Sequence, residues 1–204
     1  MTSEEFEERL HARADAAAVA ITAAEVSSLE SYLRLLARWN STINLTALPL
    51  DSPTDQTFDR LLIEPLVAAR FIEISAEHWI DLGSGGGSPA IPIKIVRPHL
   101  QLTMVESKAR KAAFLQEAIR VLAMKEANVE NVRFENLSTI QPVDLITVRA
   151  VRPDEALFLV AKRLLAPTGR LLLFHASSGK FAHDGFGRTE ATSTLSMFHV
   201  EQTS

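Results

Sequence analysis

The chain has 204 residues, a formal net charge of −4, 47% hydrophobic and 23% charged residues, and no cysteine. That composition belongs to a globular chain with a full core, and it excludes a disordered polymer, a disulfide scaffold, thiolate metal sites and cysteine nucleophiles. No apolar run reaches the roughly 18 residues that cross a bilayer, and the acidic start Met1-Thr-Ser-Glu-Glu-Phe-Glu-Glu8 is unlike a secretory signal, so a cytoplasmic location is expected.

The first 75 residues read as helices. In 24–39, Val26, Leu29, Leu33 and Leu36 recur at three- and four-residue spacings and form one apolar helical stripe. Asn40–Asp55, with its Asn, Ser, Thr and two prolines, reads as a loop. Thr57–Ile74 reads as a helix with a kink or boundary at Pro65.

From residue 78 the period changes. His78–Leu82 is a short apolar strand, followed by a helix over 89–97, a strand over Leu102–Glu106 and a helix over Lys108–Ala123. Strands over Val132–Glu135 and Val143–Val148 come next, then a helix over Asp154–Leu165. A turn at Ala166–Gly169 leads into a strand over Arg170–His175. Residues 178–196 read as a polar, mobile loop, and Met197–Val200 as a last short strand, so the C-terminal strands look abbreviated. The expectation is an α/β Rossmann-like fold over 76–204, a mostly parallel sheet with helices on both faces. Residues 1–75 would be a helical extension packed on it, within one structural domain.

Charge is unevenly spread. Residues 1–30 carry seven acids and two bases, whereas residues 94–125 carry seven bases against Glu106 and Glu117. A second basic group, Arg149, Arg152, Lys162, Arg163 and Arg170, faces only Asp154 and Glu155. Local basic faces count for more than net charge in binding RNA, although solvated helix faces give the same pattern.

Four of the eight glycines, Gly83, Gly85, Gly86 and Gly87, fall within five positions. A strand here runs into a turn tight enough to need glycine, and a helix starts at once, with Ser88 suited to the N-cap and Pro89 to the first helical position. In open α/β sheets ligands bind at this carboxyl end of the strands. No Gly-Lys-Ser/Thr is present, which excludes a nucleoside-triphosphate P-loop. Gly86-Gly-Ser-Pro-Ala90 approximates a hydrolase elbow, but the oxyanion hole needs the N–H that Pro89 lacks. The dinucleotide fingerprint is met at Gly83 and Gly85 and broken at Ser88. Glu106 suits ribose hydroxyls of either NAD or S-adenosylmethionine, while Asp81 favours the latter: a carboxylate complements a sulfonium and an amino group but repels a pyrophosphate. A turn or helix cap is the structural alternative for Asp81.

The chain resembles the bacterial small-subunit rRNA guanine-N7 methyltransferases, once called glucose-inhibited division protein B. The resemblance rests on Trp39-Asn-Ser-Thr-Ile-Asn-Leu-Thr46, on Ile80–Pro92 with its glycine turn, on Val105-Glu-Ser with Lys111 and Phe114-Leu115, on Arg133-Phe-Glu135 and on Val148-Arg-Ala150. It implies S-adenosylmethionine as cofactor and 16S rRNA of the small ribosomal subunit as partner, without a metal or a membrane, and a monomer. It also implies that Gly83 and Ser88 line the methionine and ribose side, that Glu106 holds the ribose hydroxyls, and that Phe134 and Glu135 border the adenine. Arg149 would reach the cofactor or the target base as a positioning group, and no general base is implied, because guanine N7 has a lone pair and no proton to lose. Lys108, Arg110 and Lys111 are candidate phosphate contacts. The chain departs from the family pattern at Arg60-Leu-Leu-Ile-Glu-Pro65, where Arg-His-Ile-x-Asp-Ser is common, at Ser88-Pro-Ala90, and at His175-Ala-Ser-Ser-Gly-Lys180. Taken without the resemblance, the residues leave open a methyltransferase of another substrate, an NAD-dependent oxidoreductase and a non-catalytic ribosome-binding relic.

Overall fold

The computed structural model describes residues 1–138, 141–175 and 185–200. The N-terminal third is helical: α1 (Ser3–Ala16), α2 (Ala23–Asn40), the single turn α3 (Asp55–Phe58) and α4 (Glu64–Ala68). Thr2 and Thr22 each cap their helix reciprocally with a glutamate three residues on, Glu5 and Glu25, which satisfies two otherwise orphaned N–H groups per helix. The stripe on α2 is buried as expected and gains Tyr32 and Leu35. The expected helix over 57–74 is broken in two. Between α3 and α4, Asp59–Ile63 form a π turn in which Glu64 N–H donates to Asp59 O, five residues back. Pro65 follows, which has no N–H to offer to any carbonyl behind it.

A seven-stranded sheet follows in the order β3-β2-β1-β4-β5-β7-β6. Its strands are β1 (His78–Leu82), β2 (Gln101–Val105), β3 (Ala127–Glu130), β4 (Val143–Arg149), β5 (Leu165–Phe174), β6 (Phe186–Thr192) and β7 (Leu195–Val200). The first five pair in parallel, and β7 runs antiparallel to both β5 and β6. Helices α5 (Ala90–Val96), α6 (Ala109–Val121) and α7 (Glu155–Leu164) provide the crossovers. Trp79, Leu102, Met104, Leu145 and Leu172 on one face form a single core with α1, α2, α4, α5 and α6, through Phe6, Leu29, Leu36, Leu66, Ile91 and Phe114. The other face, Ile80, Leu82, Ile146, Val148 and Leu171, packs on α7. There the Phe158 ring meets Phe186 and Phe198 edge-on, 5.4 and 5.3 Å between centroids.

Four elements differ from the sequence reading. The third strand is Ala127–Glu130, not Val132–Glu135, and Phe134–Asn136 form a 3₁₀ turn instead. Helix α6 ends early because Ala123 and Glu126 take left-handed φ of 48° and 51°, turning the chain straight into β3. The Ala166–Gly169 turn is a bulge inside β5, where the pairing with β4 jumps from Val143↔Leu165 to Leu145↔Arg170. The expected polar loop over 178–196 contains the edge strand β6, which buries Phe186 while its partner β7 spans six residues. Residues 176–184, with Gly179 and Lys180, lie outside the described residues.

Candidate functional site

A cavity of about 670 Å³ opens at the carboxyl ends of β1, β4 and β5, the end at which open parallel sheets bind ligands. Its floor is the glycine turn. Gly83 and Ser84 donate their N–H groups to Val105 O at 2.9 and 3.0 Å, hooking the turn onto the end of β2. Gly83 needs its freedom: φ is +73°, and a Cβ there would lie 2.6 Å from Val151 Cγ2. Glu106, just past β2 and 7% exposed, binds the turn from the side. Its Oε2 accepts from Gly85 N at 3.0 Å and its Oε1 from Lys108 N at 2.8 Å. Each oxygen keeps a second lone pair for a hydroxyl donor.

Ser88 does not cap α5. Pro89 occupies that position, and the Ser88 hydroxyl donates to Leu61 O at 2.9 Å. The α-helical donor to Leu61 O would be Pro65, which has no N–H, so the serine satisfies a carbonyl left open by the helix break.

One wall comes from the loop after α2. Asn40 Oδ1 accepts from Leu45 N at 2.8 Å and Thr46 N at 3.0 Å, folding residues 44–48 over the cavity. Leu45 O comes so close to the turn that a Cβ on Gly86 would sit 3.3 Å from it. Tyr32 fixes the same spot by donating its hydroxyl to Gly86 O at 2.7 Å. The Trp39–Thr46 motif is therefore a site element, a role that its sequence did not reveal.

Arg149, at the end of β4, forms the opposite wall. Its guanidinium donates to Arg60 O and to Glu64 Oε2, and stacks over Phe174 at 4.5 Å, while its buried Nε has no partner among the described residues. Burial lowers its pKa to about 10; the side chain stays charged at neutral pH. Asp81 lies beneath the cavity, 1% exposed and absent from its lining. Trp79 Nε1 donates to Thr147 Oγ1, whose proton goes to Asp81 Oδ1, and Asp81 Oδ2 has no partner among the described residues. Desolvation raises the Asp81 pKa to about 6.

Of the residues singled out from sequence, Gly83, Gly85, Ser88, Glu106 and Arg149 line the cavity together. Asp81, Phe134 and Glu135 do not: Phe134 is half-buried against the second core, and Glu135 is exposed, its carbonyl accepting from Arg163 Nη2 at 3.2 Å. Lys111 reaches the lining, whereas Lys108 and Arg110 are exposed beside it. Arg60 and His175, each the first residue of a segment where the chain departs from the family pattern, also line the cavity. Among the described residues no cluster of three or more His, Cys, Asp or Glu could hold a metal, and no helix is long and apolar enough to cross a membrane.

A sheet of this order, with its antiparallel β7 and a glycine turn after β1, is the Rossmann-like fold of class I methyltransferases. Two solved structures share it. A Klebsiella pneumoniae protein assigned as an O-methyltransferase aligns with a TM-score of 0.58 and 14% identity over 98% of this chain and 99% of its own. The N-methyltransferase NodS from Bradyrhizobium japonicum gives 0.51 and 16% over 66% and 93%. Sequence narrows the class. The GidB family model, described as rRNA small subunit methyltransferase G, matches residues 25–203. The ribosomal RNA small subunit methyltransferase G of Xanthomonas axonopodis pv. citri is 37% identical over 187 residues, 91% of this chain and 84% of that one. Its counterpart in Paracoccus denitrificans is 41% identical over 145 residues, 71% and 73%. The chain belongs to the GidB family of methyltransferases.

Proposed function

We propose that this protein transfers a methyl group from S-adenosylmethionine to N7 of a guanine in 16S rRNA of the small ribosomal subunit. The observation that carries the reading is the cavity itself: in a chain of a methyltransferase family, the glycine turn, Glu106 and Arg149 converge on one space. That space suits the cofactor. Glu106 offers acceptor lone pairs for ribose hydroxyls, the glycine backbone permits close approach, and the unpartnered buried Nε of Arg149 is a donor in need of an acceptor. When bound, S-adenosylmethionine supplies an electrophilic methyl on a sulfonium.

The protein's own work is positional. Guanine N7 carries a lone pair and no proton, so no residue need act as a base. Residues 44–48 and 150–153 close over the glycine turn from two sides and limit water. Arg149 and Arg60, which share the single charge of Glu64, leave that end of the cavity net positive, and Lys111 adds a further cation to the lining. Such a rim fits an anionic RNA strand whose target base is unstacked into the cavity. Rate enhancement would then come from aligning N7 with the methyl group. Asp81, charged above its raised pKa, lies under the site as a negative charge that favours a cationic ligand above it.

The test is mass spectrometry of small-subunit rRNA from wild-type and deletion cells. Loss of one N7-methylguanosine on deletion, restored by the wild-type gene, is the expected result. Persistence of every such mark in the deletion strain overturns the substrate. Calorimetry separates the cofactors: binding of S-adenosylmethionine and not NAD is expected.

A further inference from the structure

Glu64 lies between two arginines. Its Oε1 accepts from Arg60 Nη1 and its Oε2 from Arg149 Nη2, both at 3.0 Å. The three side chains are 18%, 23% and 12% exposed, so the pairing is largely shielded from water. Glu64 itself does not line the cavity, whereas both arginines do.

The main chain completes the clamp. In an α-helix, Arg60 O would receive the N–H of Glu64, but here that N–H goes to Asp59 O. In a continued π turn it would receive the N–H of Pro65, which has none. Arg60 O is thereby released and accepts from Arg149 Nη1. One short segment, 60–65, thus supplies Arg149 with a carbonyl and a carboxylate at once, and the Phe174 ring holds its flat face. Without the Glu64 charge, two guanidiniums would share this shielded space with no carboxylate between them and repel each other. The Arg149 side chain would then leave its present direction.

We propose that Glu64 is a positioning residue for the cofactor pocket: held between Arg60 and Arg149, it fixes how the Arg149 guanidinium faces the cavity and so strengthens cofactor binding without touching the cofactor. This rests on the reading that the cavity takes S-adenosylmethionine. The departure from the family pattern at Glu64-Pro65 is then a working part of the site. The proline opens the carbonyl and the glutamate carries the charge.

Calorimetric titration of the full chain with S-adenosylmethionine tests it, on wild type, Glu64→Gln, Arg149→Lys and the double variant, each with a thermal melt. Glu64→Gln is expected to weaken binding by about tenfold, the scale of one lost charge-assisted contact, and to raise the cofactor KM more than it lowers kcat. Because Glu64 acts through Arg149, the double variant should bind like Arg149→Lys alone. Affinity within about twofold of wild type in Glu64→Gln, or losses in the double variant that multiply as for independent sites, overturns the inference. Failure of the wild type itself to bind S-adenosylmethionine overturns the cofactor reading and this inference with it. If Glu64→Gln does not fold, Glu64→Asp decides: it keeps the charge and withdraws it by one methylene. Weaker binding at an unchanged melting temperature supports the role, and undiminished binding overturns it.

Discussion

The hydroxyl of Tyr32, on the second helix of the chain, donates to the carbonyl of Gly86 at 2.7 Å, 54 residues away. The helical N-terminal third thus grips the glycine turn that floors the cavity. Tyr32 is fully buried, and desolvation holds its pKa above the ordinary tyrosine value, so the hydroxyl stays a donor at any working pH. Tyr32→Phe should leave Gly86 O without this donor and lower stability by about 1–3 kcal/mol, the usual penalty for a buried unsatisfied group. A urea titration reads the stability, and a parallel loss of cofactor affinity would report the loosened turn.

Glu106 uses both carboxylate oxygens on backbone N–H groups, those of Gly85 and Lys108. Glu106→Gln turns one of them into an NH₂ that confronts an N–H. The expected outcome is a rise in the cofactor KM of about tenfold or more, with a drop in melting temperature. Steady-state kinetics on small subunits and a thermal melt check the two together.

Gly83→Ala puts a methyl group 2.6 Å from Val151 Cγ2 in a backbone with φ +73°. Strain from the left-handed conformation and the clash together should lower stability by about 1–3 kcal/mol. Because Val151 sits in the cavity wall, the displaced segment should also abolish cofactor binding. Calorimetry on the folded variant at low temperature tests this, and wild-type affinity would contradict it.

Asp81 makes stability depend on pH in an unusual direction for a carboxylate. Burial raises its pKa from 3.8 to about 6, so the folded protein holds a proton there that the unfolded chain has released. Its contribution is full below pH 4 and is lost as pH rises from about 4 to about 6. The two-unit rise corresponds to about 3 kcal/mol. Asp81→Asn keeps an acceptor for the Thr147 hydroxyl and has no charge to desolvate. It should therefore be more stable than wild type at pH 7–8, with the advantage vanishing towards pH 4. Denaturant midpoints across that range decide the matter. Its cofactor affinity should fall at pH 8, where the wild-type carboxylate is charged.

The chemistry-bearing turn was readable from the chain because glycine is scarce outside it and because β1 reads as an apolar strand that stops where the turn begins. Helix α2 was equally plain from its stripe. The misses share a cause. Ala123 and Glu126 take left-handed φ without being glycine, so no residue type marks the early end of α6, and β3 begins five residues before the strand the sequence suggests. Strand β6 lies at the sheet edge with Gly187, Arg188 and Thr189 half-exposed or exposed, and its polar pattern looks like a loop. The Ser88 hydroxyl fits an N-cap by local rules, yet a carbonyl opened 27 residues earlier claims it. Asp81 stands out in the sequence as a candidate cofactor contact, but its burial beneath the turn depends on Trp79 and Thr147, which only the sheet brings together. Asn44–Leu48 became part of the site through Asn40, whose effect is visible only once the loop is closed.

The sheet order has a consequence for synthesis. β1 pairs with β4, in register from Trp79↔Leu145 to Leu82↔Val148, and β4 with β5 up to Arg149↔Phe174. The cavity walls at Arg149, Phe174 and His175 therefore do not exist until β4 and β5 have left the ribosome. A nascent chain carrying the glycine turn has the floor of the site and none of its far wall. Contacts of such long sequence separation form late and slowly. A chain that has not yet folded β5 against β4 therefore cannot offer a ligand both walls of the cavity, and acquisition of activity should wait for that pairing.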